Sequence, residues 1–306
     1  MKYGLGVDIG GTKVAAVIIN QAGKIIRRSE LPSKPDDKEG MFEQVTKTID
    51  RLFSEAEFDI SMVSGLGVGI PGRVDQGKGV AVFQNNLQWR NFPIVARLQN
   101  YYDIDNVVID NDVYMAAFAE WKSIGAMDSD TFVYVTVSTG ISCSIIQNGS
   151  FLRGAGFAGE IGLLPVAGQT KDKFVHRLED TSSGPAIQRA ARDRFKCPEM
   201  TTEAILKRYE SESSEATSVL DGVIDELVRG VYCIICLLDP HQMVFGGGVI
   251  NHHPFLLELV EKEINHYLID EQKSALSRMH LSFLKGDSGA VGAGLKAIMN
   301  REERSY

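Results

Sequence analysis

Two stretches of this chain repeat one plan, and that repeat constrains the fold more than any single motif. GVDIGGTKVAAVIINQAGKI (6–25) and VTVSTGISCSIIQNGSFL (135–152) each run apolar strand, small loop with Gly and Thr, β-branched strand, Gly turn. Thr12 stands eleven residues ahead of Gly23, and Thr139 ten ahead of Gly149. A fixed plan that recurs in one chain points to duplicated supersecondary units. Two such hairpins facing each other across a cleft would offer two loops of backbone N–H groups to a single polyphosphate. At 306 residues the chain has room for two lobes with sizeable cores.

The rest of the pattern is α/β. Residues 38–57 carry Phe42, Val45, Ile49, Leu52 and Phe53 at three-and-four spacing, which predicts an amphipathic helix. A strand ends at the Pro71-Gly72 turn, and VVID (107–110) reads as a short buried strand. Asn111-Asp112 then sits where the helix beginning VYMAAFAEW needs a cap. Helices over 219–237, 255–268 and 288–299 alternate with strands near 243–246 and 279–285, the layering of an α/β protein.

A formal net charge of −8 argues against DNA or RNA as a partner, because phosphate backbones call for a basic face. Cys143, Cys197, Cys233 and Cys236 show no disulfide spacing, which suits reduced thiols. No apolar run reaches membrane-spanning length and no cleavable leader precedes the first strand, so a cytoplasmic protein without a membrane partner is expected.

Asp8-Ile-Gly-Gly-Thr-Lys13 joins a carboxylate, bare backbone at Gly10 and Gly11, the Thr12 hydroxyl and the Lys13 ammonium. Phosphate and magnesium together call for that set, with Asp8 holding the cation directly or through water. On its own the motif suits a solvated hairpin turn equally well. Thr139-Gly140 forms the second candidate phosphate loop. Gly246, Gly247 and Gly248 follow an apolar strand, where a base or ribose can approach the backbone, although a flexible turn reads the same way. Asp112, at a strand-to-helix junction, is the candidate general base, with a helix N-cap as the alternative. Asn86, Asn111, Glu160 and Glu179 offer donors and acceptors for a polyhydroxyl ligand.

Taken in series, these residues carry a resemblance. Asp8 to Lys13, Gly69-Ile-Pro-Gly72, Asn86-Leu87 with Trp89, Asn111-Asp112, Thr139-Gly-Ile141, Ala158-Gly-Glu-Ile-Gly162, Glu179 before Ser183-Gly184, Asp239-Pro240 and Gly246 to Val249 span nearly the whole chain. The chain resembles the ROK proteins, which include bacterial-type glucokinases and N-acetylhexosamine kinases. The resemblance implies the two-lobed actin-like ATPase (hexokinase or RNase H-like) fold, an α/β class with duplicated β-hairpin phosphate loops. It implies a smaller N-terminal lobe over 1–112, joined by the C-terminal helix 287–306, and a larger lobe over 113–286. By resemblance Asp112 is the catalytic base. Gly72, Asn86, Asn111, Asp112, Glu160 and Glu179 are sugar-side residues. Asp8, Gly10, Gly11, Thr12, Lys13, Thr139 and Gly140 grip phosphate and magnesium, while Gly246, Gly247 and Gly248 face the nucleoside of ATP. The family also implies a homodimer.

Two departures stand out. Where relatives place a zinc-binding His after Ala-Gly-Glu-Ile-Gly, this chain has Leu163, and QTKDKFVHRLE lacks the Cys cluster that usually follows. No zinc site is expected, since four-coordinate zinc needs His and thiolate ligands in number. The loop is instead expected to pack through Leu163, Leu164 and Val166. Cys233 and Cys236 lie on an apolar helix, where burial is expected. The second departure is Ser142-Cys143-Ser144, in place of the family's small glycines, where side chains are expected to crowd the ligands.

The function expected is ATP-dependent phosphorylation of a hexose, glucose first, with N-acetylmannosamine, another N-acetylhexosamine or a glucoside as alternative. A sugar-responsive regulator or non-catalytic scaffold stands behind both. Only seven residues precede Asp8, too few for the DNA-reading domain of such regulators.

Overall fold

The β-branched opening run pairs as a meander. Strand β1 (Tyr3–Ile9) lies antiparallel to β2 (Lys13–Asn20), and β2 lies antiparallel to β3 (Ile25–Pro32). This computed structural model describes residues 2–54, 58–84, 87–166 and 176–303. They divide into two units, Met1–Gly125 with Asp287–Tyr306 and Ala126–Gly286.

In the first unit, helix α1 (Lys38–Ser54) precedes β4 (Val63–Ile70), which runs parallel to β1. A small sheet of β5 (Arg73–Asp75), β6 (Val80–Phe83) and β7 (Arg90–Phe92) follows. Helix α2 (Ile94–Tyr102), β8 (Val107–Asn111) and α3 (Asp112–Ile124) complete it, giving the order β3-β2-β1-β4-β8.

Strand alternation decides what covers each face. Leu5, Val7 and Ile9 point toward Met41, Phe42, Val45, Ile49 and Leu52 of α1 and form one core. Gly4 and Gly6 on the opposite face of β1, with Gly67 of β4, meet the C-terminal helix (Ser288–Glu303). A Cβ at Gly6 would stand 1.9 Å from the Ala290 carbonyl oxygen, and one at Gly67 would stand 1.9 Å from that of Ala293. Glycines there let helix backbone lie directly on sheet backbone.

Helix α3 packs on the same C-terminal helix. Ser288 Oγ donates to the buried Glu120 Oε1 at 2.6 Å, and a Cβ at Gly292 would reach 1.8 Å from the Met115 carbonyl oxygen. The boundary expected after residue 112 therefore falls at the first residue of a helix bound to the first unit. That unit runs on to Gly125, whose left-handed φ of 69° ends α3.

The second unit repeats the sheet. Strands β9 (Thr131–Val137), β10 (Ile141–Gln147) and β11 (Ser150–Phe151) form an antiparallel meander. A two-stranded ribbon follows, β12 (Pro165–Val166) with β13 (His176–Arg177). The helices are α4 (Leu178–Ser182), α5 (Gly184–Phe195), α6 (Thr202–Glu210) and α7 (Ser214–Leu238). Strand β14 (Gln242–Gly246), α8 (Gly248–His252), α9 (Phe255–Ile264) and β15 (Met279–Leu281) close the unit. The order β11-β10-β9-β14-β15 matches that of the first sheet strand for strand, and β14 runs parallel to β9 as β4 does to β1. The duplicated hairpins read from sequence are these two meanders.

Helix α7 buries Val219, Leu220, Val223, Ile224, Leu227, Val231 and Ile234 in the second core. Cys233 and Cys236 correct the sequence expectation, for both are exposed. The buried stripe runs through Val231, Ile234 and Ile235, and the two thiols, one turn apart, fall off its edge.

Candidate active site

The first unit contributes carboxylates at strand ends. Asp8, near the end of β1, pairs in register with Ala15 on one side and Gly69 on the other. A Cβ at Gly69 would stand 3.4 Å from the Asp112 Cα and 3.5 Å from an Asp8 carboxylate oxygen, so Asp8 and the start of α3 flank the same point of β4. Burial, then the Asp112 charge, push the Asp8 carboxyl up to about 7, and Lys13 pulls it partly back. Gly289, at the start of the C-terminal helix, lies against the same carboxylate, where a Cβ would stand 2.6 Å from Oδ2.

Asp112 is the first residue of α3, and the helix cap is Asn111. The Asn111 side-chain oxygen accepts from the Val113 and Tyr114 amides at 2.9 and 3.4 Å, and its Nδ2 donates to the Gly72 carbonyl at 3.0 Å. Capping thus falls to the neighbour of Asp112, although Asp112 Oδ1 also accepts from the Val113 amide at 3.0 Å. Asn111 thereby ties Gly72 to the start of α3. Gly72 has φ 79°, and a Cβ there would stand 2.4 Å from the Phe83 carbonyl oxygen, so the turn requires glycine. Asn86 lies outside the described residues.

The loop from Gly10 to Lys13 is closed on itself. The Gly10 amide donates to the Lys13 carbonyl at 2.9 Å, the Ser33 hydroxyl donates to the Gly10 carbonyl at 2.6 Å, and the Ser33 amide donates to the Thr12 carbonyl at 2.9 Å. Gly11 and the exposed Thr12 and Lys13 form its rim. Asp8, Asp112 and the Thr12 hydroxyl are hard oxygen donors, and the raised Asp8 carboxyl gains from any nearby cation, so these residues fit magnesium.

In the second unit the matching loop is closed more tightly, with the Ser138 amide donating to the Gly140 carbonyl two residues on at 2.9 Å and Thr139 exposed. Glu179, on α4, rests between two glycines: a Cβ at Gly140 or at Gly162 would each stand 3.1 Å from Glu179 Oε2. One carboxylate thus touches both the Thr139-Gly140 loop and the Glu160 loop. Desolvation, then the Glu179 charge, hold the Glu160 carboxyl above the ordinary carboxylate range, though the residue stays open to solvent. Phe157, 72% exposed, stands three residues before it.

Of the Ser142-Cys143-Ser144 departure, two side chains are buried. Cys143 turns into the core, where burial pushes its thiol up to about 12, and Ser144 is fully buried. The Gly159 carbonyl accepts from the Cys143 amide at 2.7 Å and from the Ser142 hydroxyl at 3.3 Å, so this strand anchors the Glu160 loop. Leu164 and Val166 pack on the second core as expected. Leu163 does not: it is 43% exposed, because the short 3-10 turn Ile161–Leu163 buries Gly162 and rotates Leu163 outward. No three His, Cys, Asp or Glu side chains converge as a metal cluster among the described residues.

Gly246 and Gly247 are glycines for close packing on β9. A Cβ at Gly246 would stand 2.3 Å from the Tyr134 hydroxyl, and one at Gly247, φ 88°, would stand 2.4 Å from the Val137 carbonyl oxygen. Gly248 alone of the three meets open space. Sequence reasoning missed Glu30, Arg28, Asp287 and Gly289, which surround the Asp8 and Lys13 side chains from other elements. A Gly at the start of an otherwise regular helix was the one available signal.

Two sheets of one strand order, each opened by a Gly-Thr hairpin loop, and an acid at the end of the first strand define the actin-like ATPase fold. The ROK family model matches residues 4–299, and the chain belongs to the ROK family. It is 26% identical to the glucokinase of Halalkalibacterium halodurans over 99% of this chain and 97% of that one. It is 30% identical to the N-acetylmannosamine kinase of Escherichia fergusonii over 96% and 97% of the two chains. A crystal structure of the ROK family glucokinase from Streptomyces griseus in complex with glucose and AMPPNP superposes with a TM-score of 0.79 at 25% identity, covering 95% of this chain and 98% of that one.

Proposed function

We propose that this chain is an ATP-dependent sugar kinase that phosphorylates a hexose, with glucose as its first substrate and glucose 6-phosphate as product. The observation that carries this reading is the approach of Asp8 and Asp112 to the same glycine, Gly69, where the Asp112 charge acts on the Asp8 carboxyl, in a ROK chain whose relatives include glucokinases. Asp112 Oδ accepts the proton of the attacking hydroxyl, and α3 holds it in place through the Asn111 cap. Lys13 and Thr12 hold phosphate oxygens, as do Thr139 and Gly140 of the second loop, and Gly248 meets the nucleoside side. Asp8 would hold magnesium, which when bound would supply positive charge to those oxygens. Glu160 and Glu179 accept from sugar hydroxyls, and their mutual repulsion is relieved when hydroxyl donors arrive. Gly72, through its tie to Asn111, fixes the turn on the sugar side.

N-acetylmannosamine is the second reading. Leu163 stands where the family's polar neighbour would be, and a 30% identical relative is an N-acetylmannosamine kinase. We read the protein as a homodimer, supported by large apolar side chains of the second unit left uncovered, Leu237 at 81% and Ile269 at 60% exposed. Four free thiols favour a reducing compartment such as the cytoplasm, and no described helix is long and apolar enough to cross a membrane.

A coupled ADP-release assay over a sugar panel tests the reading, with one preferred hexose expected and silence on every sugar fatal to it. Asp112→Asn is expected to lower kcat by at least about 100-fold while sugar binding by calorimetry persists. Turnover like that of the wild type would remove Asp112 from its role.

A further inference from the structure

We propose that Glu30 is a positioning residue for Lys13, held in its turn by Arg28 and Asp287. The register of the first sheet sets this up. Glu30 of β3 stands opposite Ala15 of β2, which stands opposite Asp8 of β1, and Arg28 stands opposite Val17 one step along the same face. Lys13 lies on that face too, two residues before Ala15. Its Nζ reaches diagonally to Glu30 Oε2 at 2.9 Å. Arg28 Nη2 donates to the same oxygen at 2.5 Å, and Arg28 Nε donates to Asp287 Oδ1 at 2.7 Å.

Four charges therefore alternate in sign, Lys13, Glu30, Arg28, Asp287. The chain they form ends one residue before the helix whose Gly289 lies against Asp8. Ala15, a small side chain, stands between Asp8 and Glu30 in the row and is itself covered. Lys13 already acts on the Asp8 carboxyl from this position, and its hydrogen bond is the largest cause holding the Glu30 carboxyl below the usual range.

An isolated exposed lysine pair contributes little, because a flexible stem must be held still. Here the acceptor is itself fixed by a guanidinium, which is planar and preorganised, and that guanidinium is fixed by a second carboxylate. The ammonium thus spends its rotamer freedom before a nucleotide arrives, and binding gains from what need not be ordered later. Lys13 is a phosphate ligand only within the kinase reading above, so this role of Glu30 rests on that reading.

Steady-state kinetics with ATP varied at saturating sugar test it on wild type, Glu30→Gln, Glu30→Asp, Arg28→Gln and the double variant. Glu30→Gln is expected to raise the KM for ATP about 3–10-fold, with kcat and the sugar KM within about twofold. Glu30→Asp is expected to restore part of the loss, and raising the salt concentration to shrink it. Because Arg28 acts through Glu30, adding Arg28→Gln to Glu30→Gln should cost nothing more.

A merely structural role would instead move kcat, both KM values and the melting temperature together. An unchanged or lower KM for ATP in Glu30→Gln overturns the proposal, as do additive effects in the double variant. If the wild type phosphorylates no sugar, it is the kinase reading that fails, and the brace is then read in the ligand-free protein. Acetic anhydride labelling with mass spectrometry should modify Lys13 about threefold faster in Glu30→Gln, relative to the other lysines. Equal rates would end the proposal there too.

Discussion

At the scale of residues, each unit sets two candidate carboxylates within reach of each other's charge, Asp8 with Asp112 and Glu160 with Glu179. Glu160 is the clearest case for a pH experiment, since desolvation and Glu179 hold its folded-state carboxyl above its ordinary value of 4.5. The folded protein therefore keeps that proton to higher pH than the unfolded chain does. Stability falls as pH rises from about 4.5 through the raised value, and the full penalty is present above it. Glu160→Gln should thus be more stable than wild type at pH 8 and equal to it at pH 4, by urea denaturation. The gain stays below about 1 kcal/mol because the group is open to solvent. Asp8 and Asp112 stood out as candidates by their places at a strand end and a strand-to-helix junction, whereas Glu160 and Glu179 stood out only in company with the other motifs of the family resemblance. Glu30 and Asp287 did not stand out, for the Arg28 to Asp287 bond joins positions 259 residues apart, and no local pattern encodes such a pairing.

At the scale of elements, alternation and helical spacing carried most of the reading, and they failed where an element is apolar all round. The end of α7, VYCIICLL, offers no polar face from which to orient it, so Cys233 and Cys236 looked buried when the stripe in fact passes beside them. The 3-10 turn at Ile161–Leu163 defeats a strand or helix period in the same way and turns Leu163 outward. The glycine face of the first sheet carries its own prediction. Gly67→Ala would drive a methyl to within 1.9 Å of the Ala293 carbonyl oxygen, a backbone atom that no rotamer can move aside. A loss of about 3 kcal/mol is expected, read as a lower thermal midpoint. Gly286→Ala, whose added methyl meets open space, is the matched control and should leave the midpoint nearly unchanged.

At the scale of the whole molecule, one sheet order is used twice, and the chain closes the first copy with its last helix. The exposed Leu237 and Ile269 are large apolar side chains that a single chain leaves uncovered, and the Tyr232 and Tyr267 rings, 5.7 Å apart, join the helix that carries Leu237 to the segment that carries Ile269. If the proposed dimer forms through these side chains, Leu237→Glu with Ile269→Glu should give a monomer by light scattering after gel filtration. A wild type that is already monomeric would remove the dimer. The glycine-paved face has a consequence for biosynthesis as well. A ribosome releases residues 1–125 long before the helix that covers Gly4, Gly6 and Gly67, and the whole second unit emerges in between. The second unit can therefore finish folding while the first is still open on one side, and completion of the unit made first waits for the helix made last.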